Sequence, residues 1–451
     1  MNPGERLELL TDLYEITMAA SYFENAMADS ATFSLFIRKF PPDRTYFVAA
    51  GLQDFLDFAA GFHFSDSDLA YLKESGTFSD AFLNYLKDMR FTGSIRAIAE
   101  GEIFFDNEPI LEVTAPIVEA QILETFAINT INLQSMIATK AARCIHAASG
   151  RQLVDFSLRR THGIDAGLKV ARSSYIAGFV ATSNVLAGKL YGIPITGTMA
   201  HSYISSFGDE LEAYRAYARS FPDKTILLID TYDTVAGARK ATIVGQEMAR
   251  QGHRLVGVRL DSGDMAQLSR QVRKILDDAG LDDTEVFASS SFDEYKIART
   301  ITEGAMIDAF GVGTKMGVSS DAPYFDMVYK LVQYGKRPIM KLSTGKINLP
   351  GEKQVFRKTD AKGHFTEDVI GARDETIEDA RPLLEPVMRD GRLLRPHPSL
   401  EEIRARFGKN FELLDDAYKA LEGAPSYPVR LSAKLKALHD TLPKQNLSQS
   451  A

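Results

Sequence analysis

From about residue 150 to 335 the chain alternates short apolar runs with helical patterns, and no other feature limits its fold as strongly. The runs are QLVDFSL, IPITGTM, TILLIDT, LVGVRLD, EVFASSS and IDAFGVG. Between them lie helical stretches such as VAGARKATIVGQEMARQ, DMAQLSRQVRKILDDAG and FDEYKIARTITEG. This alternation builds βα units and a parallel sheet. Six or seven units in so short a stretch predict an irregular α/β barrel rather than an open sheet. The reactive end of such a barrel is the C-terminal end of its strands. There the chain places polar groups run after run. Asp155, Arg159 and Arg160 follow QLV, and His201 follows IPITGTM. Asp230 and Asp233 follow TILLI, and Arg259, Asp261 and Asp264 follow LVGV. Ser289 to Ser291 follow EVFA, and Gly311, Gly313 and Thr314 follow IDAF.

The flanking regions read differently. Residues 1–125 mix the helical patterns TDLYEITMAASYFENAM, LQDFLDFAAGF and SDAFLNYLKDM with strand-like ATFSLFIRKF and YFVAAG. Residues 118–148 form one apolar helical stretch with a break expected near Asn132. The expected division is an N-terminal α/β domain over 1–125, the barrel over 126–335, and a segment over 336–451 that packs back on the first domain. That segment begins with strand-like, Lys-rich pieces (RPIMKLSTGKINLPGEKQVFR) and ends in a helical pair. The terminal LPKQNLSQSA is expected to fray.

Composition narrows the function. A net charge of −8 argues against non-specific nucleic-acid binding, while leaving room for a local basic pocket. No apolar run is long enough to span a membrane, and the N-terminus lacks the apolar core of a signal peptide. The single cysteine, Cys144, excludes an intramolecular disulfide and points to a reducing cytoplasm. The histidines are scattered without metal-ligand spacing, so no zinc site is expected, and no nucleophile elbow or Walker A sequence occurs.

Each candidate residue has a structural reading beside a functional one. FGVGT (310–314) can be a plain turn, or Gly313 and Thr314 can present donors to a phosphate. In RLDSGD (259–264), Arg259 can clamp a phosphate or carboxylate and Asp261 a sugar diol, while Asp264 reads as a helix cap. In DFSLRR (155–160), the arginines can be a solvated pair, or Phe156 can stack a flat ring while Arg159 holds an anion. His201 can be a buried histidine, or the partner of Asp230 at the next strand end. The residues alone lead to a barrel enzyme for a phosphorylated, ribose-containing small molecule, and no further.

TDLYEITM, DFSLRRTHG, TSNVLAG, GTMAHSY, RLDSGD and FGVGTK, in this order, closely resemble the nicotinate phosphoribosyltransferase family, which is grouped with the nicotinamide and quinolinate enzymes. The resemblance runs from about residue 10 to 360, and the C-terminal hundred residues carry little of it. It implies a type II phosphoribosyltransferase fold: an irregular α/β barrel plus a discontinuous α/β domain built from both chain ends, working as a homodimer with shared sites. The implied reaction joins nicotinate to phosphoribosyl pyrophosphate, with Mg²⁺, and couples it to ATP hydrolysis through a phosphohistidine. By the same resemblance His201 is the phosphorylated residue and Asp230 its orienting carboxylate. Phe156 and Arg159 bind the base, and Tyr14 stacks on it from the other subunit. Arg259 and Asp261 match the phosphoribosyl clamp, Gly313 and Thr314 the 5′-phosphate site, and Arg38 reaches a phosphate across the dimer.

Two departures stand out. SSSFDE (289–294) has Ser290 where the family commonly has a glycine, so a left-handed backbone there would be strained. Ser183 stands near the place where nicotinamide-using relatives carry an aspartate, whose charge would repel nicotinate. Ser183 therefore favours the acid as substrate. The alternatives are a nicotinamide- or quinolinate-specific relative and, from another class, a sugar-phosphate barrel lyase. The lyase would need a Schiff-base lysine or metal ligands at a strand end, and neither is evident.

Overall fold

The computed structural model describes residues 7–341 and 348–449. Part of the Lys-rich stretch after Tyr334 and the last two residues of the terminal stretch lie outside these. The chain forms two compact units, Met1–Met136 with Tyr324–Ala451, and Ile137–Pro323. The boundaries thus fall at 136 and 323 rather than 125 and 335. The second shift has a clear cause: Met327–Tyr334 is not a barrel strand but pairs along its length with Ser30–Ile37.

The first unit is built on a seven-stranded sheet in which Ser30–Ile37 lies between Leu111–Pro116 and Met327–Tyr334. All but the first residue of Ser30–Ile37 are buried, which is why ATFSLFI reads as a nearly continuous apolar run. Glu385–Arg389 joins the same sheet through Ser94–Ala97, so the C-terminal segment is part of this unit's core. Leu13–Glu24 forms the expected first helix. The break expected at Asn132 lies instead at Ile122–Leu123, between helices Ile117–Gln121 and Glu124–Ala148. Asn132 is carried within the helix, where packing of Ala127, Ile131 and Ile137 outweighs its weak propensity. The final helix, Ala433–Gln449, runs through most of the stretch expected to fray.

The second unit holds a six-stranded parallel sheet. Its order is Ala181–Thr182, Gln152–Asp155, Ala309–Val312, Glu285–Ser289, Gly257–Leu260 and Ile226–Leu228. The sheet curls as a half-barrel and stays open between its first and last strands. IPITGTM, expected as a strand, stands near this opening but makes only one bridge, Thr182 with Ile195. Pro194 has no N–H to give, and Gly192 and Gly197 flank the run, so a longer ladder is not sustained. The missed strand, Ala181–Thr182, is only two residues long. Val154, Ala181, Phe287 and Ala309 form an apolar cluster, with Phe156 packed against it. Asp233, Asp264 and Asp293 cap the helices that follow three successive strands, at 2.7, 3.0 and 2.8 Å from backbone N–H groups.

Candidate active site

The C-terminal ends of the parallel strands open into a cavity of about 390 Å³ within the second unit. Phe156, Arg159, Ser183, His201, Arg259 and Asp261 all line it. One wall begins at the first strand. Asp155 is buried, and its carboxylate accepts from the Ser157 N–H and hydroxyl at 2.9 and 2.5 Å and from the Thr182 hydroxyl at 2.7 Å. Burial nonetheless pushes its pKa above the usual carboxylate range. These bonds fix the turn that carries Phe156 and Arg159. The Phe156 N–H donates to Val312 at 2.9 Å, and its ring lies across Gly311. A Cβ at Gly311 would fall 2.6 Å from that ring, so the glycine has a steric reason to be there. Arg159 is exposed on the 3₁₀ turn Leu158–Arg160, facing solvent at the cavity.

Arg259 organises the opposite wall. Its guanidinium donates to Ser289 at 2.8 Å, Thr198 at 2.9 Å, the Met199 carbonyl at 3.4 Å and Asp261 at 3.0 Å. It also lies 5.4 Å from the centre of the Phe156 ring, within cation–π range. The Ser289 hydroxyl donates to the same Asp261 oxygen. His201 opens the short helix His201–Ser205, with Nδ1 3.1 Å from the Thr231 hydroxyl and Nε2 3.7 Å from the second Asp261 oxygen. Its side chain is 45 % exposed, so it is not a core histidine.

The expected His201–Asp230 pair does not form. Asp230 accepts from the Asp261 N–H at 3.1 Å and the Ser262 hydroxyl at 2.6 Å, and its other oxygen is buried without a partner. The reason lies in the turn RLDSGD, which folds back so that its own donors take Asp230 Oδ2. The carboxylate facing the imidazole is Asp261. Sequence reasoning missed Thr231, although it directly follows Asp230 in LLIDTYD.

The stretch beyond the last two strands also departs from expectation. The left-handed residue is Ser291, with φ +51°, not Ser290. Ser290 turns its carbonyl to Lys296 Nζ. Gly313 has an ordinary negative φ, but a Cβ there would meet the Phe156 carbonyl oxygen at 3.1 Å; Thr314 follows it. Lys296 and Lys315 stand beside this stretch, and Lys315 Nζ lies 2.6 Å from Asp293 Oδ2. Tyr14 and Arg38 belong to the first unit. Tyr14 is 45 % exposed, with its hydroxyl pKa raised by partial burial and then by Glu124. Arg38 pairs with Asp326 at 3.5 Å.

An aromatic ring, an arginine held among hydroxyls and an exposed imidazole, gathered at the ends of parallel strands, are the parts of an α/β-barrel enzyme's active site. The comparisons narrow this class. The nicotinate phosphoribosyltransferase family model matches residues 151–350, with that family's N-terminal domain over 9–132 and its C-terminal domain over 376–439. The chain belongs to the nicotinate phosphoribosyltransferase family. It is 47 % identical to nicotinate phosphoribosyltransferase pncB2 of Mycobacterium tuberculosis, over 95 % of this chain and 92 % of that protein. It is 38 % identical to the Bacillus subtilis nicotinate phosphoribosyltransferase, over 97 % and 96 %. The human nicotinic acid phosphoribosyltransferase structure superposes with a TM-score of 0.85 at 30 % identity, covering 96 % of this chain and 99 % of that one. The C-terminal domain match corrects the expectation that the last hundred residues carry little of the resemblance.

Proposed function

We propose that this chain joins nicotinate to phosphoribosyl pyrophosphate, giving nicotinate mononucleotide and pyrophosphate in NAD salvage. One observation carries the reading: the Phe156 floor and the Arg259–Asp261 clamp meet in a single cavity that Ser183 also lines. Nicotinate is a flat ring with one carboxylate, suited to Phe156 beneath it and Arg159 at its edge. Ser183 adds no charge to repel that carboxylate. Transfer breaks the bond from C1′ to pyrophosphate as the pyridine nitrogen bonds to C1′, through an oxocarbenium-like state. The protein's part is to position the two reactants and stabilise the charge that develops. Asp261, steadied by Arg259 and Ser289, is the group for the ribose hydroxyls. Ser290, Gly313 and Thr314 take the 5′-phosphate.

Mg²⁺ fits this site as a companion of pyrophosphate. Among the described residues no group of three or more acidic, His or Cys side chains could hold a metal. A carboxylate oxygen without a partner, Asp230 Oδ1, suits a hydrated ion that takes its other ligands from phosphate and water. When bound, magnesium would neutralise charge on the departing pyrophosphate.

ATP coupling through a phosphohistidine belongs to the same reading. Thr231 at Nδ1 leaves Nε2 of the half-exposed His201 as the nitrogen facing the cavity. That nitrogen would bond to the γ-phosphorus as ADP leaves, and water would later release phosphate. The functional unit is a homodimer in which Tyr14 and Arg38 serve the neighbouring subunit's site. A cytoplasmic setting fits the single, buried Cys144.

The test is nicotinate turnover with and without ATP, in wild type and His201→Ala. We expect ATP to accelerate wild type, and the variant to keep a slow rate that ATP does not raise. An ATP response unchanged in His201→Ala removes the phosphohistidine. No product from nicotinate under saturating ATP and Mg²⁺ removes the reaction itself, and competition with nicotinamide and quinolinate then identifies the base.

A further inference from the structure

Two lysines meet at the ends of the two parallel strands Glu285–Ser289 and Ala309–Val312, which pair directly at Ser289 and Gly311. Lys296 lies in the first turn of the helix Glu294–Thr302, and its ammonium folds back onto the Ser290 carbonyl. Lys315 follows Gly313 and Thr314, and its ammonium lies 2.6 Å from Asp293 Oδ2. Asp293 already serves the helix by accepting from the Lys296 N–H at 2.8 Å through its other oxygen.

The charge does not balance. Two ammonium groups share one carboxylate, and that carboxylate faces Lys315. Lys296 has a neutral carbonyl and the Phe292 ring, 4.8 Å from its nitrogen, in place of an acid. Its pKa is pushed below the usual lysine value, first by burial and then by Lys315. A partly buried cation with a like charge beside it and no acid of its own is costly unless an anion completes it. Ser290 and Ser289 are adjacent in the chain, and Ser289 holds the Arg259–Asp261 clamp.

We propose that Lys296 and Lys315 together bind the 5′-phosphate of the phosphoribosyl substrate, supplying the cationic charge that Ser290, Gly313 and Thr314 cannot. This rests on the reading of the site as a phosphoribosyl-transfer centre. A phosphate dianion takes one ammonium from each side, and Lys296 exchanges a carbonyl for a charged acceptor.

The experiment compares wild type with Lys296→Met, Lys315→Met and the conservative Lys296→Arg. It measures KM for phosphoribosyl pyrophosphate and nicotinate, and binding of ribose 5-phosphate and ribose by calorimetry. We expect each methionine variant to raise the phosphoribosyl pyrophosphate KM about tenfold or more, as losing a charged hydrogen bond does. The nicotinate KM should stay within twofold, and Lys296→Arg should recover most of the loss. The preference for ribose 5-phosphate over ribose should fall in the same variants. The alkaline loss of phosphoribosyl binding should also move to higher pH in Lys315→Met, since Lys296 then has no cationic neighbour. A KM for phosphoribosyl pyrophosphate within twofold of wild type, or an unchanged preference for ribose 5-phosphate, overturns the proposal. If wild type turns over no nicotinate, the proposed function has failed, and the calorimetric preference alone then decides for or against the lysine pair.

Discussion

Arg357 in the first unit and Arg259 in the second make similar numbers of hydrogen bonds, yet to different kinds of partner. Arg357 is fully buried. It grips Asp368 with two bonds of 3.0 and 2.6 Å, donates to the Ile103 carbonyl at 2.8 Å, and stacks 4.3 Å from the Phe365 ring centre. Asp368 also accepts from the Tyr427 hydroxyl at 3.2 Å. Glu108 nearby has its pKa pushed above the usual carboxylate range by burial and then by Asp368. Arg259 instead bonds mostly to hydroxyls and a carbonyl, at the rim of a cavity. Its one acid, Asp261, keeps its second oxygen turned toward the exposed His201. An arginine sealed against acid and backbone away from water holds the fold. An arginine bonded to hydroxyls beside open space can exchange a partner for a substrate oxygen at small cost.

The largest effect that could break this contrast is in Arg357→Met. Removing one partner of a buried pair leaves Asp368 uncompensated, and we expect a loss of about 3–5 kcal/mol of stability in denaturant melts. The folded fraction should keep the wild-type KM values. A stable variant with impaired turnover would show that the buried network reaches the chemistry. Next comes Arg259→Met, expected to lower kcat/KM about 10²–10³-fold, as losing a preorganised donor does. Its melting temperature should fall by only a few degrees. A variant that unfolds instead would place Arg259 with Arg357 as a structural group.

The same contrast governs what the sequence discloses. Phe156, Arg159, His201, Arg259 and Asp261 could be gathered from sequence because each sits in or just after a recognisable run, and strand ends converge in a barrel. Ser183 follows a two-residue strand that carries no such run, and only the family resemblance pointed to it. The partner of His201 could not. Whether Asp230 or Asp261 faces the ring depends on how the RLDSGD turn folds back, and no spacing rule encodes that. Ser290 and Ser291 are neighbours in a run of three serines, so which takes the left-handed backbone is decided only by the turn. The IPITGTM run is apolar enough for a strand, but its Pro and flanking Gly residues limit it to one bridge. Arg357 and Asp368 face each other across one antiparallel strand pair, but Glu108 is far from both in the chain and none of the three carries a motif, so their network becomes visible only in the fold.

Gly311→Ala sharpens the comparison with a smaller change inside the site. The added methyl falls 2.6 and 2.8 Å from Phe156 ring carbons and 3.1 Å from Phe287, so the Phe156 ring must tilt away. Overpacking of this kind costs about 1–3 kcal/mol. If Phe156 is the floor for the base, the nicotinate KM should rise about tenfold, a 1.4 kcal/mol effect, with the phosphoribosyl pyrophosphate KM unchanged. Equal rises in both would mean that the ring supports the clamp rather than the base.

The smallest expected effect concerns the helix that carries Tyr14. Glu15 is buried beside it, and burial raises its pKa to about 7 despite donors from Thr11 and Thr125. Glu124 raises it further. A carboxyl raised in the folded state holds its proton there longer than in the unfolded chain. Its contribution to stability is therefore complete below the ordinary glutamate range, near 4.5, and is lost as pH rises through about 7. Wild type should therefore lose stability steadily between pH 5 and 8 as this group ionises in the folded state. In Glu15→Gln, whose amide imitates the protonated acid, that part of the slope should vanish in melts across this range. If nicotinate KM in wild type rises over the same pH window and stays flat in Glu15→Gln, the titration also reaches Tyr14 and the base it is proposed to stack on.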